Sequence, residues 1–402
     1  MEKLTNKEWL AQSNQKLEQL VEVIKQKNLN SFVLPELTNP AIENEVFQGK
    51  EFIKGDGKVG VGTYVQPEPA EDLDVELNEQ DELLSDIEAK INEMANLELD
   101  GTPNLVYTLS ADGTYYIIGT GFTSIEAIEA DASGGNTGSG LDENWRGGKV
   151  VIPRLHNGKP VLAIAPRAFL DILNITSVYI FVGLTHIGHR CFQVTGNYGY
   201  DVAMNAIRLP NTLKKLGCGN GRVLWGRQGL TSITLPNNVA ELENSTVAYC
   251  TGLDCLSAPM VTYAANSPMQ NSPNITKVYL PNLEETLSNL CRDCESLTSI
   301  HLPKIKNLGS SAFSGCIALQ TIRLGADIES IGGYTFNCGS SDKKTTIVIE
   351  ATTPPALDAG AFNTSTYLTT IAKIVVPKGC GNAYKTATNW TLVASIIEEA
   401  AQ

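Results

Sequence analysis

Seven side chains suited to molecular recognition recur along this chain at one structural phase: Tyr179, Arg208, Thr234, Ser257, Tyr279, His301 and Arg323. Tyr, Arg and His carry planar hydrogen-bonding groups that grip sugars and protein loops, and Ser and Thr add compact hydroxyls. Six of the seven stand in the middle of a short phrase, apolar–any–apolar. Five of these phrases close on proline, at Pro210, Pro236, Pro259, Pro281 and Pro303, and the sixth, Ile322-Arg323-Leu324, closes on Gly325. Tyr179 joins the set if residues 178–180 stack in the same register. The chemistry this predicts is non-covalent binding spread over several weak contacts. The plainer expectation is that these are ordinary solvent-facing strand residues.

Covalent chemistry finds no assembled set. His156, His186, His189 and His301 are scattered among different phrases, and neither a Gly-x-Ser-x-Gly elbow nor an HExxH pair is present. Cys291-Arg292-Asp293-Cys294 is a single CxxC without the second half that a structural metal site needs. A carboxylate pair could hydrolyse a polysaccharide, but no spacing selects one, and Glu284-Glu285 falls on a coil edge. Gly55, Gly57, Gly60 and Gly62 lack the following helix and the Lys-Ser/Thr pair of a phosphate loop. The expectation is a non-enzymatic protein with no cofactor and no metal.

The elements that would position the seven side chains follow from the repeat. Closing residues are 26, 23, 22, 22 and 22 apart, the signature of a solenoid. Apolar–any–apolar is the pleat of a short strand whose middle residue faces out, and proline stops the strand because it cannot donate a ladder hydrogen bond. Successive strands would stack in parallel about 4.8 Å apart. A leucine precedes many strands by three residues: Leu230, Leu253, Leu297 and Leu319. Further upstream lie the small–aromatic pairs Ala168-Phe169, Cys191-Phe192, Ala312-Phe313, Thr335-Phe336 and Ala361-Phe362. One coil cannot bury its own apolar face, so these residues must fill the space between coils.

Three segments carry a family resemblance: Ala163-Ile164-Ala165-Pro166-Arg167-Ala168-Phe169, Leu308-Gly309-Ser310-Ser311-Ala312-Phe313-Ser314-Gly315-Cys316, and Ile331-Gly332-Gly333-Tyr334-Thr335-Phe336. They resemble the BspA-type leucine-rich repeat, roughly I-G-x-x-A-F-x-x-C-x-x-L-x-x-I-x-I-P. The opening segment 107–116 with Val150-Val151-Ile152-Pro153, and the closing segment with Thr353-Pro354-Pro355, Ile374-Val375-Val376-Pro377 and Asn389-Trp390, look like the family too. The resemblance covers about 105–399 and implies adhesion or recognition. Gly217–Gly221 and Asn266–Pro273 depart from the pattern. The implied fold is an α/β repeat solenoid of leucine-rich repeats with short parallel strands, preceded by a small helical, coiled-coil and hairpin N-terminal region. The expected divisions are an opening cap over 101–153, repeats over 154–350 and a closing repeat or cap over 351–402.

Net charge is −14, and residues 66–100 hold thirteen Asp or Glu against one Lys, so nearly all the imbalance is local. Such a run reads as a solvated segment. No basic stripe offers a nucleic-acid surface. All nine cysteines fall within 191–380 at repeat positions; Cys191, Cys250, Cys294, Cys316 and Cys338 take interior places, which predicts free, buried thiols. The start, Met1 to Glu8, is followed by no apolar run of seven or more, so neither a signal peptide nor a membrane-inserted helix is expected.

Before the repeats, Thr5-Asn6-Lys7-Glu8 is a capping box. Leu10, Leu17, Leu20 and Ile24 follow at heptad spacing, an N-terminal helix within 1–30 for anchoring and oligomerisation. Residues 31–65 read as a Pro/Gly-rich hairpin segment with Asp56-Gly57 at its turn. Residues 66–100 read as an acidic linker and a second seam, Leu77, Gln80, Leu84, Ile87, Ile91 and Met94, in a short coiled coil. Leu34-Pro35-Glu36-Leu37-Thr38-Asn39-Pro40, Gly49-Lys50-Glu51-Phe52-Ile53 through Gly62-Thr63, and Leu83-Leu84-x-x-Ile87 resemble the N-terminal part of phage and prophage tail and fibre proteins. That resemblance implies a virion protein, a homotrimer docked on other virion proteins, displaying its solenoid toward a host-surface glycan or protein. Two alternatives stand beside it: a bacterial surface or secreted adhesin, and a head or tail decoration without a receptor role.

Overall fold

The computed structural model describes residues 51–53, 59–61, 101–131, 139–195, 203–363, 365 and 367–401. The chain divides into two units, Met1–Asn96 and Leu97–Gln402. In the first, strand Glu51–Ile53 pairs antiparallel with Val59–Val61, Ile53 opposite Val59; the expected turn at Asp56-Gly57 lies outside the described residues. The two oligomerisation seams, Leu10 to Ile24 and Leu77 to Met94, lie outside the described residues.

The second unit is a solenoid of short parallel strands with little helix. It opens on an antiparallel pair, Tyr107–Leu109 with Tyr116–Ile118, and the second of these continues into the parallel stack. One face carries the apolar–any–apolar strands in sheets of three, three and five. A second face carries two-to-six-residue strands in two sheets, among them Tyr263–Ala264, Glu285–Thr286 and Asn307–Leu308. The apolar positions of both faces turn inward and form one core running from Leu105 to Ile397. The leucines that precede the strands, Leu230, Leu253, Leu297 and Leu319, are all fully buried in it.

The strand face differs from the expected single sheet. Its ladder breaks between Ala206–Arg208 and Ser232–Thr234, and again between Lys277–Tyr279 and Ser299–Leu302. The first break falls where the coil step lengthens to 26 residues and the neighbouring strand Lys215–Cys218 shifts register. Ile207 and Val278, next to the two breaks, are only partly buried, whereas Ile233, Ile300 and Ile322 are buried.

The stack stays continuous because a third line of backbone bonds crosses both breaks. At the corner before each small–aromatic pair stands a residue with left-handed backbone: Arg167, Arg190, Arg222, Ser245, Ser267, Asn289, Ser311 and Tyr334, all with φ between 51° and 61°. Each donates its N–H to a carbonyl of the next coil, from Arg167 to His189 through to Tyr334 to Gly360, at 2.6–3.0 Å. Left-handed backbone costs a non-glycine residue about 1–2 kcal/mol, and a buried, repeated backbone bond of about 1 kcal/mol helps offset it. Gly217–Gly221, expected to disturb the coil, instead closes a tight loop in which Gly221 N–H donates to Gly217 O at 2.8 Å. A Cβ at Gly221 would lie 2.1 Å from Asn244 O, so glycine is required there.

Beneath the corner the ring positions stack coil on coil. Phe169 and Phe192 stack nearly parallel with ring centres 5.0 Å apart, Phe336 and Phe362 4.8 Å apart, and Leu224, Val247, Met269, Cys291 and Phe313 fill the column between. Next along the coil is a column of small donors that satisfy carbonyls of the preceding coil. Cys250 Sγ donates to Leu224 O, Ser272 Oγ to Val247 O, Cys294 Sγ to Met269 O and Cys316 Sγ to Cys291 O. In the longer coil Arg227 takes that place. Fully buried, it donates Nε to Phe192 O at 2.6 Å and Nη1 to Ile172 O at 3.0 Å, reaching across two coils.

The last coil is closed by two buried aromatics. Tyr384 on helix Gly381–Thr386 donates to Ala351 O, Trp390 donates to Pro355 O, both at 2.8 Å, and their rings meet edge to face. Glu399 accepts from Gly379 N and Gly381 N, which pulls its carboxyl below the usual range.

All nine thiols are free; seven are buried, and Cys255 and Cys380 are partly exposed. Burial pushes the Cys250 and Cys338 thiols up to about 12 and raises Cys316 well above its ordinary value. Two predictions follow from the packing. Alkylation of the native protein should label Cys255 and Cys380 alone, with nine labels after denaturation, counted by intact mass. Phe313→Ala should lower unfolding free energy by about 3–5 kcal/mol in denaturant titration, because a ring is lost from a column that cannot collapse.

Candidate recognition face

The outward column on the strand face assembles as its spacing requires. Arg208 pairs with Tyr179 across the first sheet, Thr234 with Ser257 and Ser257 with Tyr279 across the second, and His301 with Arg323 across the third. Each pair is therefore about one strand spacing, ~4.8 Å, apart. The two ladder breaks fall between these groups, so seven residues form three registered clusters rather than one sheet-long row.

Exposure grades along the column. Val151, opposite Tyr179, is buried, because Thr102 of the opening cap bonds both ways to its backbone. Tyr179 is half-buried beneath Lys149 Nζ, 4.3 Å from the ring centre, and burial lowers the pKa of neighbouring Arg208 against the raising influence of Tyr179. Thr234, Tyr279, His301 and Arg323 are exposed, Tyr279 at 57%. Arg323 pairs with Glu350 of the next coil, Nη2 to Oε1 at 2.5 Å, an exposed contact that fixes the guanidinium above the strands.

Two parts of the face escaped the sequence pattern. The column continues past Arg323 to Val348, Val375 and Glu398, which turns its far end apolar and then acidic. A second outward column runs beside it two residues upstream: Lys149, Ser177 and Ala206; Ser232, Cys255 and Lys277; then Ser299, Thr321, Thr346 and Lys373. The residue just before each apolar–any–apolar triad is the signal that marks it. Tyr279 thus stands beside exposed Lys277, and Cys255 lies on this face rather than in the interior.

The arrangement offers rings, cations and hydroxyls on a broad surface. Cys291 and Cys294, the CxxC pair, are buried and turn to Met269, Cys291 toward its sulfur at 3.5 Å and Cys294 toward its carbonyl. His301 and His156 stand far apart along the stack. His156 is stacked on Tyr107 at 3.6 Å, and burial lowers its pKa. No group of three or more His, Cys, Asp or Glu able to hold a metal occurs among the described residues. No helix among them is long and apolar enough to cross a membrane.

A family model for the BspA-type leucine-rich repeat region matches six copies over 162–291, 224–341 and 284–380, together more than half of the chain. The chain belongs to the BspA-type leucine-rich repeat family. The corner, ring and donor columns described above are the physical content of its repeat. No curated protein matches this repeat protein. Among solved structures it is similar to a leucine-rich repeat protein from Bacteroides ovatus at 17% identity, covering 68% of this chain and 70% of that one, with a TM-score of 0.46. It is also similar to the pneumococcal vaccine antigen PcpA at 14% identity, covering 74% and 96%, with a TM-score of 0.34. A leucine-rich cell surface protein from Faecalibacterium prausnitzii shares 15% identity, covering 75% and 94%, with a TM-score of 0.29.

The strand face should be free of structural duty. Tyr279→Ala and His301→Ala should each leave the unfolding midpoint within the equivalent of about 0.5 kcal/mol. Arg323→Ala should cost at most about 1 kcal/mol through the lost Glu350 pair.

Proposed function

We propose that this BspA-type protein is a non-enzymatic recognition protein that works at a surface, its solenoid gripping an extended ligand along the strand face. The observation that supports this most is the register of polar and aromatic side chains coil over coil, with Tyr279, His301 and Arg323 outermost. A glycan chain or an extended protein segment laid along the stack meets one such group per coil. Each contact is weak, and display of several copies multiplies modest affinities. The family supports a surface setting. The particle-borne setting, with a trimer anchored on a virion through residues 1–100, rests on the resemblance of residues 34–63 and 83–87 alone. In both settings the solenoid is the displayed part and the strand face its working surface.

The test is attachment. Full-length protein carrying Tyr279→Ala, His301→Ala and Arg323→Ala together should bind target cells at least about tenfold more weakly than the parent, since each lost group contributes on the order of 1 kcal/mol. Equal binding by this variant, with loss on substituting the coil-connecting loops, would move the working surface to the loops. Sedimentation of the full-length protein addresses the anchor: a trimer supports self-association, and a monomer contradicts it.

A further inference from the structure

The corner line that holds the coils together carries an arginine on three successive coils, Arg167, Arg190 and Arg222. All three have left-handed backbone, with φ of 61°, 53° and 56°, and exposure rises along them: Arg167 is buried, Arg190 partly buried and Arg222 exposed. Their coils are adjacent: Arg167 N–H donates to His189 O at 3.0 Å and Arg190 N–H to Gly221 O at 2.8 Å. The five coils that follow place Ser245, Ser267, Asn289, Ser311 and Tyr334 at this position. The backbone therefore does not demand arginine.

Elsewhere this solenoid pairs a cation on one coil with an acid on the next. Lys215 meets Glu241 at 3.0 Å, Lys306 meets Glu284 at 2.7 Å, Lys373 meets Glu398 at 3.1 Å and Arg323 meets Glu350. Among the described residues no such acid answers Arg190 or Arg222. Arg190 Nε is buried without a hydrogen-bond partner, while Arg222 is exposed. Burial and the charges of Arg222 and Arg167 pull the Arg190 pKa down, so the guanidiniums interact with one another. A chain of net charge −14 thus keeps two like charges, Arg190 and Arg222, side by side on adjacent coils.

We propose that Arg190 and Arg222, flanked by Arg167, form a binding site for an oxyanion, a sulfate ester or carboxylate, carried by an acidic polysaccharide. Guanidinium forks bind such oxygens bidentately, and a row one coil apart suits a chain bearing its charges in series. The site lies on the coil corner and is independent of the strand face.

The test is retention of the full-length protein on sulfated dextran, polygalacturonate and neutral dextran at about 0.15 M salt. The parent should be held by at least one polyanion and not by neutral dextran; sulfated dextran alone assigns a sulfate ester, polygalacturonate alone a carboxylate. Arg190→Ala with Arg222→Ala should weaken that retention at least about tenfold, while the variant with Tyr279, His301 and Arg323 replaced should retain it. Without polyanion the arginine variant should unfold no earlier than the parent, and inorganic sulfate at low concentration should raise the parent's midpoint more than the variant's, above the general stabilisation both receive. A parent held by neither polyanion, or an arginine variant held as tightly as the parent, would overturn the proposal. Loss of retention in the strand-face variant alone would place acidic glycans on that face and overturn it as well.

Discussion

Everything in this solenoid depends on one repeated corner. Eight consecutive coils place a non-glycine residue in left-handed backbone, and each sends its N–H to the next coil. This line runs from Arg167 to Gly360 across both interruptions of the strand face, and a second line four residues further on accompanies it from Asp171 to Asn337. It fixes the height of a coil, and with it the stacking distance of the ring column below. The thiol and hydroxyl donors then have one carbonyl within reach, and the middle residues of the strands fall into register. A coil with a foreign sequence is tolerated as long as its corner is kept, as the loop Gly217–Gly221 and the segment Asn266–Pro273 show.

The interior illustrates how a narrow stack satisfies polar groups with its own side chains. The carbonyls behind the ring column need donors, and residues as different as Cys316, Ser272 and Arg227 supply them. A thiol is a weak donor but an apolar filler, so cysteine serves both needs, which accounts for Cys250, Cys294 and Cys316 as buried free thiols. Arg227 does the same work over a longer distance in the coil whose step is longest.

Much of the fold was legible because strands and interior residues have chemical requirements. Apolar residues flanking Arg323 or His301 must point inward, so their spacing exposes the pleat, and a ring at Phe313 or Phe336 has only the interior to occupy. The corner was not legible. Left-handed backbone usually advertises itself through glycine or asparagine, and here seven of the eight corners are Arg, Ser or Tyr, with Asn289 the exception, because the inter-coil bond determines the conformation. The ladder breaks were hidden for a related reason: the triad at Val278 is as regular as its neighbours, and only its partial exposure distinguishes it. Of the candidate face, the column Tyr179 to Arg323 could be read from the triads, whereas the second column required the three-dimensional register. Cys255 shows the consequence, since its residue type suggested the interior and its register puts it on the surface.

Two surfaces with different electrostatic logic emerge from the same coil. On the strand face Arg323 pairs with Glu350 and Lys373 with Glu398 of the next coil, and rings and hydroxyls stand beside them. The most direct measurement of the claim that this face is the working surface is photo-crosslinking during attachment to cells. A photoreactive aromatic residue would replace Tyr279 in one protein and Thr353, on another side of the stack, in a second. Adducts with cell-surface material from position 279 and few from 353 are the predicted result; equal yields, or adducts from 353 alone, would contradict it.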